Sequence, residues 1–156
     1  MKKLVNFGLT GMFLSVLAFT VQSCETVNKT INKVEDTVGN KELESQLKGT
    51  WILKTIENSV APDAFKGTVP YITFDTDNHK VSGNAGCNNF TGSFALLGST
   101  YAPTVPASTL MACIEANQET KLLELLGKKS SLVFNNYTLQ FVQNGKVVLE
   151  FTPKTR

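Results

Sequence analysis

The stretch "VSGNAGCNNFTGSF" (residues 81–94) sets three glycines, three asparagines and a cysteine between segments that alternate like β-strands. Glycine and asparagine are poor strand formers, so a strand-rich chain that gathers them is marking a special backbone. In a small sheet that must coil to close on itself, glycines admit sharp bends and close approach of other groups. Gly83, Gly86 and Gly92 are therefore read as curvature and packing positions. Asn88-Asn89 is read as a tight turn or bulge that tolerates left-handed geometry.

Working outward, "FTGSFAL" (residues 90–96) places Phe90, Gly92, Phe94 and Leu96 on one face, the mark of a half-buried strand. Upstream, "GTWILKTI", "PYITF" and "HKVSGNA" read as three strands, the last two joined by the turn-rich "DTDN". Downstream, "YTLQFVQNGKVVLEF" carries Tyr137, Leu139 and Phe141, then Asn144-Gly145, then Val147, Leu149 and Phe151. Asn-Gly between alternating runs is the strongest short-range hairpin signal. "SLVF" before it ends at a second turn signal, Asn135-Asn136. One helix is predicted over residues 115–126, with acidic residues first, Leu122, Leu125 and Leu126 on one face, and Gly127 at its end. The sum is a mainly β domain with one helix: seven or eight antiparallel strands, the helix inserted before the last two or three.

The N-terminus sets where such a domain would work. Lys2 and Lys3 precede an apolar run over residues 9–21, of signal-peptide length and short for a membrane span. Val21-Gln22-Ser23-Cys24 follows it and resembles a bacterial lipobox, which makes Cys24 the expected lipidation site. Residues 1–23 are thus read as a lipoprotein signal peptide and residues 24–46 as a tether, with the domain over residues 47–154. Within the tether Val27, Ile31, Val34 and Val38 share one side of a would-be helix; a solvated spacer is the plainer reading and a short coiled coil the alternative. Loss of Lys2 and Lys3 takes Lys plus Arg from 15 to 13, against 13 Asp plus Glu, so no basic stripe for nucleic acid remains. The expected location is the cell envelope, lipid-anchored at the outer membrane, with the membrane as one partner.

Cys87 and Cys113 are then the cysteines left in an oxidising compartment, and an even pair there is a disulfide candidate. Closing a loop of about 25 residues would stabilise the domain by roughly 3 kcal/mol on the chain-entropy estimate. The competing readings are weaker. A cysteine nucleophile needs a base, and His79, the one histidine, sits in a turn-like segment. Asp75, Asp77 and His79 alternate as metal ligands could, yet a solvated acidic turn accounts for all three. No catalytic residue, metal or cofactor is expected.

"LKGTWILKTI" (47–56), "VSGNAGCNNFTGSF" (81–94), "STLMACIEANQETKLLELL" (108–126) and "LQFVQNGKVVLEF" (139–151) together resemble the META domain, also called the HslJ-like family. The motif positions carried by the resemblance are Gly49, Trp51, Gly83, Gly86, Cys87, Asn88, Gly92, Thr109, Met111, Cys113 and Glu119. The resemblance implies a small antiparallel, barrel-like fold of lipocalin-related topology. It also implies an envelope protein, linked in some bacteria to heat shock or drug resistance, with no established enzymatic activity. Leu110 stands where many relatives carry arginine, so a role for that cation in holding an acidic partner is not carried over.

Gly49-x-Trp51 resembles the G-x-W that opens lipocalins, where the tryptophan plugs the barrel base. A barrel of about eight strands can hold one small molecule if its side chains leave room. Phe74, Phe90, Phe94, Phe141, Leu149 and Phe151 are large enough to fill it, and a dry core is the expectation. The alternatives are a carrier of a small apolar ligand and a module that binds a protein partner through the loops at residues 59–70 and 98–109.

Overall fold

The computed structural model describes residues 41–104, 106–113 and 118–155. The signal peptide, Cys24, the tether to residue 40 and the predicted helix start at 115–117 lie outside the described residues.

Eight strands form a closed antiparallel barrel: β1 (Gly49–Ile56), β3 (Tyr71–Asp75), β4 (Lys80–Asn84), β5 (Asn89–Leu97), β6 (Thr100–Pro103), β8 (Ser130–Asn135), β9 (Thr138–Gln143) and β10 (Lys146–Pro153). Each pairs with the next in chain order, and β10 closes on β1 from Trp51↔Pro153 to Ile56↔Leu149. Two short strands lie off this circuit: β2 (Ser59–Val60) pairs with β1, and β7 (Ala107–Ser108) pairs with β5. Closure leaves the barrel strands no free edge, which removes the main aggregation hazard of a small sheet. The expected mainly β, barrel-like fold is borne out.

Among the described residues three short helices, where the sequence predicts one, accompany the barrel. The predicted one, α3 (Glu119–Leu126), buries Leu122, Leu125 and Leu126 and ends at Gly127, whose N–H donates to the Leu123 carbonyl. α1 (residues 41–47) occupies the stretch assigned to the end of the tether, with Leu43 half-buried on the core and Leu47 fully buried. α2 (Ala61–Ala64) has Pro62 in its first turn, where a missing N–H costs nothing.

Two-residue turns with positive φ at both positions join three of the hairpins: Glu57-Asn58 (42°, 73°), Asn136-Tyr137 (45°, 64°) and Asn144-Gly145 (50°, 73°). This geometry matches the twist of paired strands. It also corrects two readings. Tyr137 belongs to a turn and is 92% exposed, because Asn135 and Thr138 are the last pair of the β8–β9 ladder. Val147 is exposed as well, since the β9–β10 register shifts between Val147 and Leu149 and resets the alternation.

The barrel interior is aromatic. Ring contacts run Phe74–Phe94 (5.4 Å), Phe94–Tyr101 (5.7 Å), Tyr101–Phe141 (5.3 Å) and Phe141–Phe151 (5.6 Å), largely edge-on or tilted. Phe90 and Leu149 are buried beside them. Trp51 meets Phe134 edge-on at 5.8 Å and donates its indole N–H to the Leu47 carbonyl at 2.8 Å, which ties β1 to the end of α1. The Tyr101 hydroxyl is fully buried without a hydrogen-bond partner among the described residues, and burial raises its pKa well above the usual range.

The segments at 59–70 and 98–109 hold core and sheet residues as well as exposed ones. Ala61, Ala64 and Phe65 of the first are core residues, and the second supplies β6, whose Tyr101 is central to the ring stack.

Candidate functional site

Between β4 and β5 the chain turns through residues 85–88. The Asn84 side-chain oxygen accepts from the Gly86 N–H at 2.8 Å, and the Ala85 N–H donates to the Asn88 carbonyl at 2.8 Å. Gly86 has φ +109°, and a Cβ there would lie 2.6 Å from the Phe65 ring, so both backbone and space demand glycine. Gly83 is demanded by space alone: a Cβ would meet the Tyr71 carbonyl oxygen at 2.0 Å. Gly92 differs, since a Cβ there would make only ordinary contacts from 3.5 Å. Gly49 is required by its φ of +121°, with nothing near it.

This turn presents Cys87 and Asn88 to the segment that runs from β7 to α3. Cys87 and Cys113 form a disulfide with Cα atoms 6.0 Å apart, as the cysteine pairing anticipates. Asn88, only 4% exposed, is the hub. Its side-chain oxygen accepts from the Thr109 hydroxyl and the Met111 N–H, each at 2.7 Å. Its amide nitrogen donates to the Met111 carbonyl at 3.3 Å and lies 3.8 and 3.5 Å from the sulfurs of Cys87 and Cys113. Its backbone N–H donates to the carboxylate of Glu119 at 3.1 Å. Thr109 adds a second tie, accepting from the Asn89 N–H at 3.2 Å while its own N–H donates to the Asn89 carbonyl at 3.0 Å.

Six of the motif residues, Cys87, Asn88, Thr109, Met111, Cys113 and Glu119, thus meet in one knot, and Gly83 and Gly86 shape the turn that delivers it. Gly49 and Trp51 serve β1 and the Leu47 contact instead. Glu119, the first residue of α3, is 8% exposed, and its charge suits the positive end of a helix. One of its carboxylate oxygens lies 3.5 Å from the Cys113 sulfur. Beside the knot opens a cleft of about 680 Å³ bordered by Leu110, Met111, Cys113, Glu119 and Leu123. Leu110 is 96% exposed and Met111 57%, an apolar lip where an arginine-bearing loop would be cationic.

His79 and Cys87 sit beyond opposite ends of β4, five residues at roughly 3.3 Å each, so they make no dyad. The metal alternative dissolves into local pairings: Asp75 accepts from the backbone and side chain of Asn78, Asp77 pairs with Lys48, and His79 faces Glu44 at 3.8 Å. The Asn78 bonds hold the Asp75 carboxyl below its usual range. Among the described residues, the His, Cys, Asp and Glu groups that converge are Cys87, Cys113 and Glu119. Sequence reasoning placed these residues in a motif but missed that Asn88 joins them.

The META domain family model matches residues 42–156, a span that takes in all of α1 but residue 41. Among solved structures, an NMR structure of a protein from Burkholderia xenovorans is similar at TM-score 0.56 and 23% identity, over 72% of this chain and 87% of that one. A second NMR structure is similar at TM-score 0.58 and 19% identity, over 70% of this chain and 93% of that one. These likenesses show the fold. No curated protein matches the chain.

Proposed function

The chain belongs to the META domain family, and from that premise we propose that it is a non-enzymatic, lipid-anchored protein of the bacterial cell envelope. Its domain binds through the outer surface, in a stress-related role, rather than carrying a ligand inside the barrel. The observation that carries this reading is the ring chain from Phe74 through Tyr101 to Phe151, which occupies the space a carrier would leave open. Binding then falls to the exterior, where the apolar lip of Leu110 and Met111 beside the stapled knot is the leading candidate surface.

Anchoring follows from Cys24 in its lipobox context. Each buried acyl methylene contributes about 0.8 kcal/mol, so more than one chain on a single cysteine gives stable attachment. A Cys24→Ala protein should leave the membrane fraction, and its retention there after export would refute the anchor.

Titration of the folded domain with a long-chain fatty acid tests the binding mode: no saturable uptake is expected. Stoichiometric uptake abolished by filling or repolarising the interior would favour the carrier. That second reading draws on one observation, the unpartnered Tyr101 hydroxyl in the barrel.

A further inference from the structure

The geometry points to a redox-gated site for a thiophilic divalent cation, zinc in the first instance, formed by Cys87, Cys113 and Glu119 when their disulfide is reduced. The two sulfurs and a Glu119 carboxylate oxygen all lie within 4.8 Å of one another. A tetrahedron built on Zn–S bonds of about 2.3 Å has edges of roughly 3.7 Å, so the Glu119 oxygen 3.5 Å from the Cys113 sulfur is already near ligating separation, while the two sulfurs, bonded to each other here, part on reduction to reach it. Two thiolates select zinc and other soft or borderline ions over magnesium or calcium.

The ligands come from three separately anchored places: the β4–β5 turn, the segment after β7, and the first turn of α3. Asn88 ties them together without being a ligand. Its N–H holds the Glu119 carboxylate at 3.1 Å, and its side-chain amide lies within 3.5 and 3.8 Å of the two sulfurs. A metal site needs such outer partners to orient its ligands and to stabilise thiolate charge. Cys113 is exposed at the cleft, which leaves the fourth position open to water or a small ligand.

The chemistry balances with a dithiol as reductant. Thiol exchange breaks the Cys87–Cys113 bond, the reductant closes to its own disulfide, and the two electrons and two protons pass to the protein thiols. Cation binding then releases two protons to solvent and replaces a covalent staple with a coordinate one between the same segments. The sequence gives no such indication, because Glu119 is six residues from Cys113 and far from Cys87 in the chain.

The test uses the full chain carrying Cys24→Ser, so that Cys87 and Cys113 are its only thiols. It is reduced with a phosphine and titrated with Co(II) under anaerobic conditions. The expected result is one Co(II) per chain, with thiolate-to-metal charge transfer and the visible bands of a tetrahedral site, and neither in the oxidised chain. Glu119→Gln should weaken binding by at least the tenfold that loss of an outer partner alone can cost, and Glu119→Asp should recover part of it. Trp51 fluorescence follows the fold throughout. The proposal is overturned if the reduced chain shows no charge transfer, if it unfolds on reduction, if the oxidised chain binds equally, or if Glu119→Gln titrates like its parent.

Discussion

Gly83→Ala isolates what the glycines of residues 81–94 do. A Cβ at Gly83 would lie 2.0 Å from the Tyr71 carbonyl oxygen and 3.0 Å from two atoms of the Phe90 ring. Ordinary contact begins at 3.4 Å, so the β3 backbone would have to retreat by about 1.4 Å. Yet Gly83 is laddered to Ile72 on one side and Phe90 on the other, in a barrel that closes on itself. Overpacking against movable side chains costs about 1–3 kcal/mol, and a backbone obstacle puts this case at the upper end or above. At roughly 4–8 °C per kcal/mol for a domain of this size, a loss of about 3 kcal/mol lowers Tm by roughly 15 °C. Gly92→Ala is the control, because its Cβ finds ordinary contacts and the substitution also restricts the unfolded chain. Its stability should be unchanged or raised by up to about 1 kcal/mol. Thermal unfolding followed by circular dichroism reads both. Equal losses in the two variants, or a Gly83→Ala domain within about 0.5 kcal/mol of the parent, would refute the packing account.

Asn88→Ala removes the partner of the Thr109 hydroxyl and of both backbone groups of Met111, and should cost about 2–4 kcal/mol in urea unfolding; a loss under about 0.5 kcal/mol would show the knot to be incidental. Tyr101→Phe deletes a buried hydroxyl that has no partner among the described residues, and should leave stability unchanged or raise it by about 1 kcal/mol; a clear loss would reveal a bond to that oxygen. Lys54 and Glu150 bridge β1 and β10 at 2.5 Å, and the Lys54 hydrogen bond holds the Glu150 carboxyl below its ordinary 4.5. A depressed folded-state pKa gives stability that is present above the unfolded value and lost as pH falls through the folded one. Lys54→Met should therefore cost about 0.5–1 kcal/mol at neutral pH, a deficit that fades as pH falls below the ordinary carboxylate value and through the lowered folded one; a pH-independent deficit would point to packing instead.

The barrel strands with strict alternation and an Asn-Gly turn were legible because local pattern and tertiary role agree there. β6 and β7 were not, since Pro103, Pro106 and the neighbouring threonines read as loop, and only tertiary pairing, of both to β5 and of β6 to β8, makes the segment sheet. α1 stayed hidden because its apolar contacts, Leu43 and Leu47, sit in an otherwise polar stretch. In the site, the cysteine pair could be read from compartment and count. The Asn88 bonds could not, for they join residues 20 or more apart that meet only once the barrel has closed. Nor could spacing tell Gly83, which has no room for a side chain, from Gly92, which has.

The claim of a filled, stapled barrel is met most directly by the native mass of the domain, lacking its first 24 residues and purified from the periplasm. A bare mass two hydrogens short of the reduced chain is the predicted result. An added mass of a few hundred daltons that leaves on denaturation would contradict it and make the interior a ligand site.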